Sequence, residues 1–156
     1  MKNYLIAIVW MSLYPLAMEA QEIEASKVPS TVQAEFQKMY PVATNIQWEI
    51  DGENYEASFK LNKKSWSAVY EKDGKFVESE VGIKVSELPE PVVQAILKEY
   101  PGASIEEAEK TTLSDGSIVY ECELEQDKKE IEVQVSADGK ILKKEESEED
   151  TEDKKD

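Results

Sequence analysis

The sequence has no histidine, and none of its 18 basic residues is an arginine, so every side-chain cation is a lysine. These absences remove imidazole base chemistry, histidine ligation of metals and the guanidinium fork that grips carboxylates and phosphates. Cysteine is nearly missing. The one residue, Cys122, cannot close an internal disulfide and has no histidine to activate it as a nucleophile. A small buried hydrophobe is the plainer reading of it. Positive charge is scarce: 34 acidic residues outnumber the basic ones and leave a formal net charge of −16. That balance excludes a nucleic-acid binder of the usual basic kind. There is no phosphate loop, no metal-spaced cysteine cluster and no nucleophile elbow. No cofactor is expected, and an enzyme is the least supported reading.

Long apolar runs are confined to the start. Leu5 to Ala17 is apolar apart from Ser12 and Pro15, and Lys2 precedes it. The run is too short for a stable membrane anchor and reads as a signal peptide over residues 1–20, with cleavage after Ala20 or after Ala17. The mature chain is then expected to be soluble, and periplasmic or secreted. Residues 21–27 read as a polar lead-in. At the other end, residues 145–156 carry no apolar side chain and read as a disordered acidic tail.

Between these ends the chain says one thing twice. VPSTVQAEFQKMYPVA at Val28 to Ala43 returns sixty residues later as LPEPVVQAILKEYPGA at Leu88 to Ala103. Each copy reads as a short amphipathic helix. A proline stands at its start, where the missing N–H costs nothing, and Tyr-Pro at its stop, because a residue before proline is pushed out of the helical region. Alternating stretches follow in both copies, punctuated by Asp-Gly at Asp51, Asp73, Asp115 and Asp138. None of these pairs lies in a calcium-loop pattern, and all fall where a turn is needed. The match survives a five-residue insertion: Tyr120 answers to Tyr55, Leu124 to Phe59 and Ile131 to Trp66. Two repeats are expected, residues 28–83 and 84–144, with Val81 to Glu87 linking the two copies. A helix this short cannot bury its face alone. The reading is therefore α+β, a tandem repeat of helix-then-antiparallel-strands units with both helices on one face of a shared sheet and the other face open.

A turn at Asp127-Lys128 sets a register in which Leu124 faces Ile131, Cys122 faces Val133 and Tyr120 faces Val135. The same register in the first copy pairs Phe59 with Trp66, Ala57 with Ala68 and Tyr55 with Tyr70. Both inner faces come out apolar. That parity also places Trp66 and Tyr70 in the core, although with Trp48 they could form an aromatic recognition patch. The outer face of the second hairpin sets Glu123 against Glu132 and Glu125 against Glu130, with Glu121 beside them. Like charges directly opposite cost roughly 0.2–1 kcal/mol per pair. Two readings stand. One is a solvated acidic face that aids solubility and discourages edge-to-edge association. The other is a partner-binding surface of Glu121, Glu123, Glu125, Glu130 and Glu132 for an envelope protein, a basic peptide or divalent cations.

With YECELEQDKKEIEVQVSADGKIL echoing YEASFKLNKKSWSAVYEKDGKFV after the doubled Tyr-Pro-x-Ala helices, the chain resembles the PepSY-like, beta-lactamase-inhibitor-like family of periplasmic proteins. The resemblance covers roughly Val28 to Lys144. It implies an exported, small, non-enzymatic tandem-repeat α+β protein, with no family catalytic residues to carry over; the contact face of the inhibitor that names the family would correspond to the outer sheet face, but inhibition itself is not implied.

Overall fold

The computed structural model describes residues 21–147. The expected leader at 1–20 and the last residues of the expected tail, 148–156, lie outside them. Nine strands form one antiparallel sheet whose spatial order is the order of the chain. They are β1 (Gln21–Ile23), β2 (Thr44–Asp51), β3 (Asn54–Leu61), β4 (Lys64–Tyr70), β5 (Phe76–Ile83), β6 (Ser104–Leu113), β7 (Ile118–Gln126), β8 (Lys129–Ser136) and β9 (Ile141–Ser147). A 3-10 turn and helix α1 (Ser30–Met39) precede β2, and a second 3-10 turn and helix α2 (Glu90–Glu99) precede β6.

Both helices begin directly after a proline, Pro29 or Pro89, whose backbone is extended, and end at Tyr40 or Tyr100, just before a second proline. Each buries one stripe, Val32 and Phe36 in α1 and Val92 and Ile96 in α2. Under α1 lie Trp48, Ala57, Phe59, Ala68 and Tyr70; under α2 lie Ala108, Tyr120, Cys122, Leu124, Ile131, Val133 and Val135. The two cores are separate clusters. They nevertheless share one face of the sheet, as the cross-strand chain Phe59–Trp66–Val81–Lys110–Tyr120–Val135 demonstrates. Phe36 stands at the centre of the first core, its ring 5.1 Å from Phe59 and 5.2 Å from Trp48. The two tryptophans and the tyrosine weighed as a recognition patch are thus packing residues: Trp48 and Tyr70 are buried, and Trp66 is half-buried on the helix side.

The hairpin registers are those expected. Leu124 pairs with Ile131 and Cys122 with Val133; Phe59 pairs with Trp66 and Ala57 with Ala68. The two-residue turns that set them put both central residues at positive φ, Asn62 and Lys63 at 52° and 66°, Asp127 and Lys128 at 54° and 65°. That geometry matches the twist of the flanking strands but costs a lysine more than a glycine. Lys63→Gly or Lys128→Gly is expected to raise the unfolding free energy by about 0.5–1 kcal/mol, measured by denaturant titration, with no change in fold.

Three expectations need correction. The polar lead-in at 21–27 is structured: Gln21–Ile23 form β1 against β2, and Ala25–Lys27 the first 3-10 turn. The stretch after Glu80, read as a link from Val81 onward, still belongs to β5 as far as Ile83, and its pairing with β6 joins the two halves of the sheet. Glu145, Glu146 and Ser147, read as the start of the tail, continue β9 opposite Glu132, Ile131 and Glu130. Main-chain ladder bonds require no apolar side chain, so an all-polar segment can extend a strand that is already paired.

Candidate functional site

The helices cover one face of the sheet, and nothing among the described residues covers the other. Strand parity therefore decides what that open face presents. Row by row across the strands it carries Glu49, Glu56, Val69 and Glu78; then Ser58, Ser67, Glu80, Thr111 and Val119; then Gly82, Glu109, Glu121, Gln134 and Lys143; then Glu107, Glu123, Glu132 and Glu145; and finally Glu125 beside Glu130. All five glutamates named from the sequence, Glu121, Glu123, Glu125, Glu130 and Glu132, lie here, with Glu123 opposite Glu132 and Glu125 opposite Glu130.

The acidic field is wider than that hairpin. Sequence reasoning missed Glu107 and Glu109 on β6, which face Glu123 and Glu121. It also missed Glu78 and Glu80 on β5. A signal existed, since Glu-x-Glu at 78–80 and 107–109 alternates with residues of the helix face. The lysines at strand positions on this side are Lys60 and Lys143, near opposite ends. Lys60 donates to Ser65, and Lys143 pairs with Glu145 at 2.7 Å.

Most of these glutamates are half-buried by their neighbours, and this controls their charge. Burial pushes the Glu80 carboxyl up to about 8, assisted by Glu109, Glu78, Glu56 and Glu121. Burial, then Glu121, Glu107 and Glu56, lift Glu109 to about 7. Glu132 rises to about 7 through burial and then the charge of Glu121, with Lys143 pulling the other way. Glu56, Glu78 and Glu123 are raised as well, each by burial first. At Glu56 a hydrogen bond from Ser67 offsets part of this; elsewhere on the face Gln134 Nε2 donates to Glu121 Oε2 at 2.7 Å, and Ser67 Oγ to Glu80 Oε2 at 3.4 Å.

The other residues weighed from the sequence fall elsewhere. Cys122 is fully buried on the helix side, and burial pushes its thiol up to about 12, far from a reactive thiolate. The Asp-Gly aspartates serve turns: Asp73 accepts the Lys75 amide at 3.0 Å and Asp115 that of Ser117 at 2.8 Å. Among the described residues no three Asp, Glu or Cys side chains converge closely enough to hold a metal ion. The carboxylates lie in rows spread over the sheet, which is the geometry of a surface and not of a coordination shell.

Comparison with known proteins fits this architecture. The sequence model of the family described as "Putative beta-lactamase-inhibitor-like, PepSY-like" matches twice, over residues 16–78 and 67–143. The chain belongs to this PepSY-like family. Each match takes in one helix, and the two overlap over residues 67–78. Among solved structures, a DUF2874 family protein from Bacteroides uniformis aligns with TM-score 0.69 at 21% identity, over 76% of this chain and 88% of that one. A protein from Bacteroides eggerthii, named among "putative periplasmic proteins", aligns with TM-score 0.69 at 20% identity, over 76% and 88%. A BLIP-like protein from Bacteroides fragilis aligns with TM-score 0.66 at 22% identity, over 79% and 91%. At these identities the PepSY-like chain shares a fold with them. Among curated proteins none matches. No described helix of this PepSY-like protein is long and apolar enough to cross a membrane.

Proposed function

We propose that this protein is an exported, non-enzymatic binding module of the inhibitor-like kind, which engages a cationic protein or peptide through the open face of its sheet. The observation that carries the reading is the register of that face. Glu109 faces Glu121, Glu107 faces Glu123, Glu123 faces Glu132 and Glu125 faces Glu130, and the lysine of these rows, Lys143, stands at their β9 end paired with Glu145. Such pairs are destabilising in the free protein, and a basic partner converts the repulsion into attraction. Glu121, Glu123, Glu125, Glu130 and Glu132 form the half of the surface that belongs to the second helix-and-strands repeat.

Several features support a role without catalysis. No histidine exists, the cysteine is buried, and the family description and the name of the B. fragilis relative speak of inhibitor likeness. The sheet face here is serine- and glutamate-rich where an aromatic hot-spot surface would be expected of a tight enzyme inhibitor. Recognition by charge is therefore proposed, and β-lactamase inhibition is not part of the reading. Work in the periplasm or outside the cell follows from the leader at 1–20 and agrees with the name of the B. eggerthii relative.

Capture from envelope extract of the source cell tests the proposal. The full chain should retain a basic protein at low salt and lose it at high salt. The double reversal Glu123→Lys and Glu132→Lys should abolish retention while leaving the far-UV spectrum unchanged. Retention by the folded double variant equal to that of the wild type would sink the assignment.

A further inference from the structure

Glu80 sits near the middle of the open face, where β5 and β6 join the two halves of the sheet. From β4 it faces Ser67 and from β6 Thr111; Glu78 lies along its own strand, with Glu109, Glu56 and Glu121 around it. Glu109 faces Gly82, which has no side chain, on one flank and Glu121 on the other, with Glu107 along its strand. Glu132 faces Glu123 on β7 and Glu145 on β9, with Glu121 and Lys143 diagonal to it and Glu130 and Gln134 along its strand. Both helices lie on the far side of the sheet. Of these groups only Lys143 is cationic, and it already pairs with Glu145.

Directly opposed residues of an antiparallel sheet have Cβ atoms about 4.5–5.5 Å apart. Glu109 opposite Glu121 and Glu132 between Glu123 and Glu145 stand at that spacing, and Glu80 lies on the diagonal from Glu109; half-buried, with Lys143 the cation beside Glu132, these carboxylates cannot all ionise together. We infer that docking on this face is proton-linked: a cationic partner displaces protons from Glu80, Glu109 and Glu132 into solvent, so capture tightens as pH rises. The inference rests on the docking reading above and adds its regulation. In each displacement a carboxylic acid becomes a carboxylate, its proton passes to the buffer, and the partner's ammonium group supplies the balancing charge. The upward displacement of these three carboxyls to about 8, 7 and 7 places the change near neutral pH. A carboxylate of ordinary pKa is already ionised at neutral pH and has no proton to release. Proton release therefore reports on this face, where bare affinity for polycations would not.

Calorimetric titration of the full chain with a short oligolysine peptide, in two neutral buffers of different ionisation enthalpy, tests this. The expected heats differ between buffers by the equivalent of about one to two protons released, and affinity rises about tenfold per pH unit for each proton released. Binding whose heat is the same in both buffers overturns the proton linkage and leaves the docking reading standing. Absence of binding at every pH removes the docking reading itself. The variant Glu80→Gln, Glu109→Gln keeps the side-chain shapes and is expected to bind with reduced release. Undiminished release by this variant overturns the assignment of the protons to these residues.

Discussion

Replacing Gly139 by alanine is expected to cost about 3 kcal/mol or more, enough to leave much of the chain unfolded at 37 °C. The turn between β8 and β9 lies against the start of α2. A Cβ on Gly139 would stand 2.6 Å from the carbonyl oxygen of Pro91 and 3.0 Å from its carbonyl carbon. Both atoms are backbone, so no flexible side chain can yield. The residue also sits at φ 88°, where an L side chain is strained even in open space. The first repeat contains the same device. Gly74 has φ 92°, and its Cβ would lie 2.8 Å from the carbonyl oxygen of Thr31 in α1. There Thr31 Oγ1 also donates to the Lys72 carbonyl at 3.2 Å, so turn and helix are held from both sides. Gly116 is the internal control. It has φ 82° but nothing within 4 Å of a Cβ, so Gly116→Ala should cost only the conformational part, about 1 kcal/mol. Denaturant unfolding of the three alanine variants should therefore separate Gly74 and Gly139 from Gly116. Equal losses at all three would refute the close-approach account.

The second large effect is on stability against pH. Glu80, Glu109 and Glu132 hold their protons more tightly in the folded chain, at about 8, 7 and 7, than at the ordinary value of 4.5 expected when unfolded. Between those limits the folded state binds more protons than the unfolded state, so stability falls as pH rises from about 4.5 to 8. Lowered carboxyls act oppositely. Glu87 bonds the Lys84 amide, and Asp115 and Asp138 bond serine hydroxyls, and their contribution is lost in stronger acid. The melting temperature should therefore peak near pH 5 and not at neutrality. Glu80→Gln should stabilise the protein at pH 8 by about 1–2 kcal/mol, after discounting for the water that still reaches the side chain, and flatten the decline. Calorimetric melts of both proteins from pH 4 to 9 decide this. A wild-type curve that climbs steadily toward pH 8 would contradict the electrostatics of the open face.

Much of the fold was legible because its determinants are local. The doubled Tyr-Pro-x-Ala helix ends, and the turns at Asn62-Lys63 and Asp127-Lys128, specify register within a few residues, and the parity of Leu124 with Ile131 follows. The junction between the repeats was not legible. Glu80 meets Thr111, and Val81 meets Lys110, across a connection that contains a 3-10 turn and the whole of α2. No turn chemistry announces that pairing. The same gap hid the true extent of the acidic face, since Glu78 and Glu80 become neighbours of Glu109 and Glu121 only once β5 and β6 are zipped. In β2 the alternation breaks at Ile46. An irregularity between Thr44 and Gln47 shifts the register, and Ile46 is left 40% exposed.

Because the sheet's spatial order repeats its chain order, no strand waits for a partner made much later. Each hairpin closes on the strand just completed, and the loops to be closed are short except where a helix intervenes. Entropy lost on closure is therefore met in small instalments, and assembly can spread from either end. The separate cores add a second consequence. With β5 and β6 as the hydrogen-bonded seam, amide exchange should resolve two blocks of protection, and loosening one block need not melt the other. The open face, which spans the seam, is then built on two independently anchored plates, and any ligand bridging them would act as a clasp.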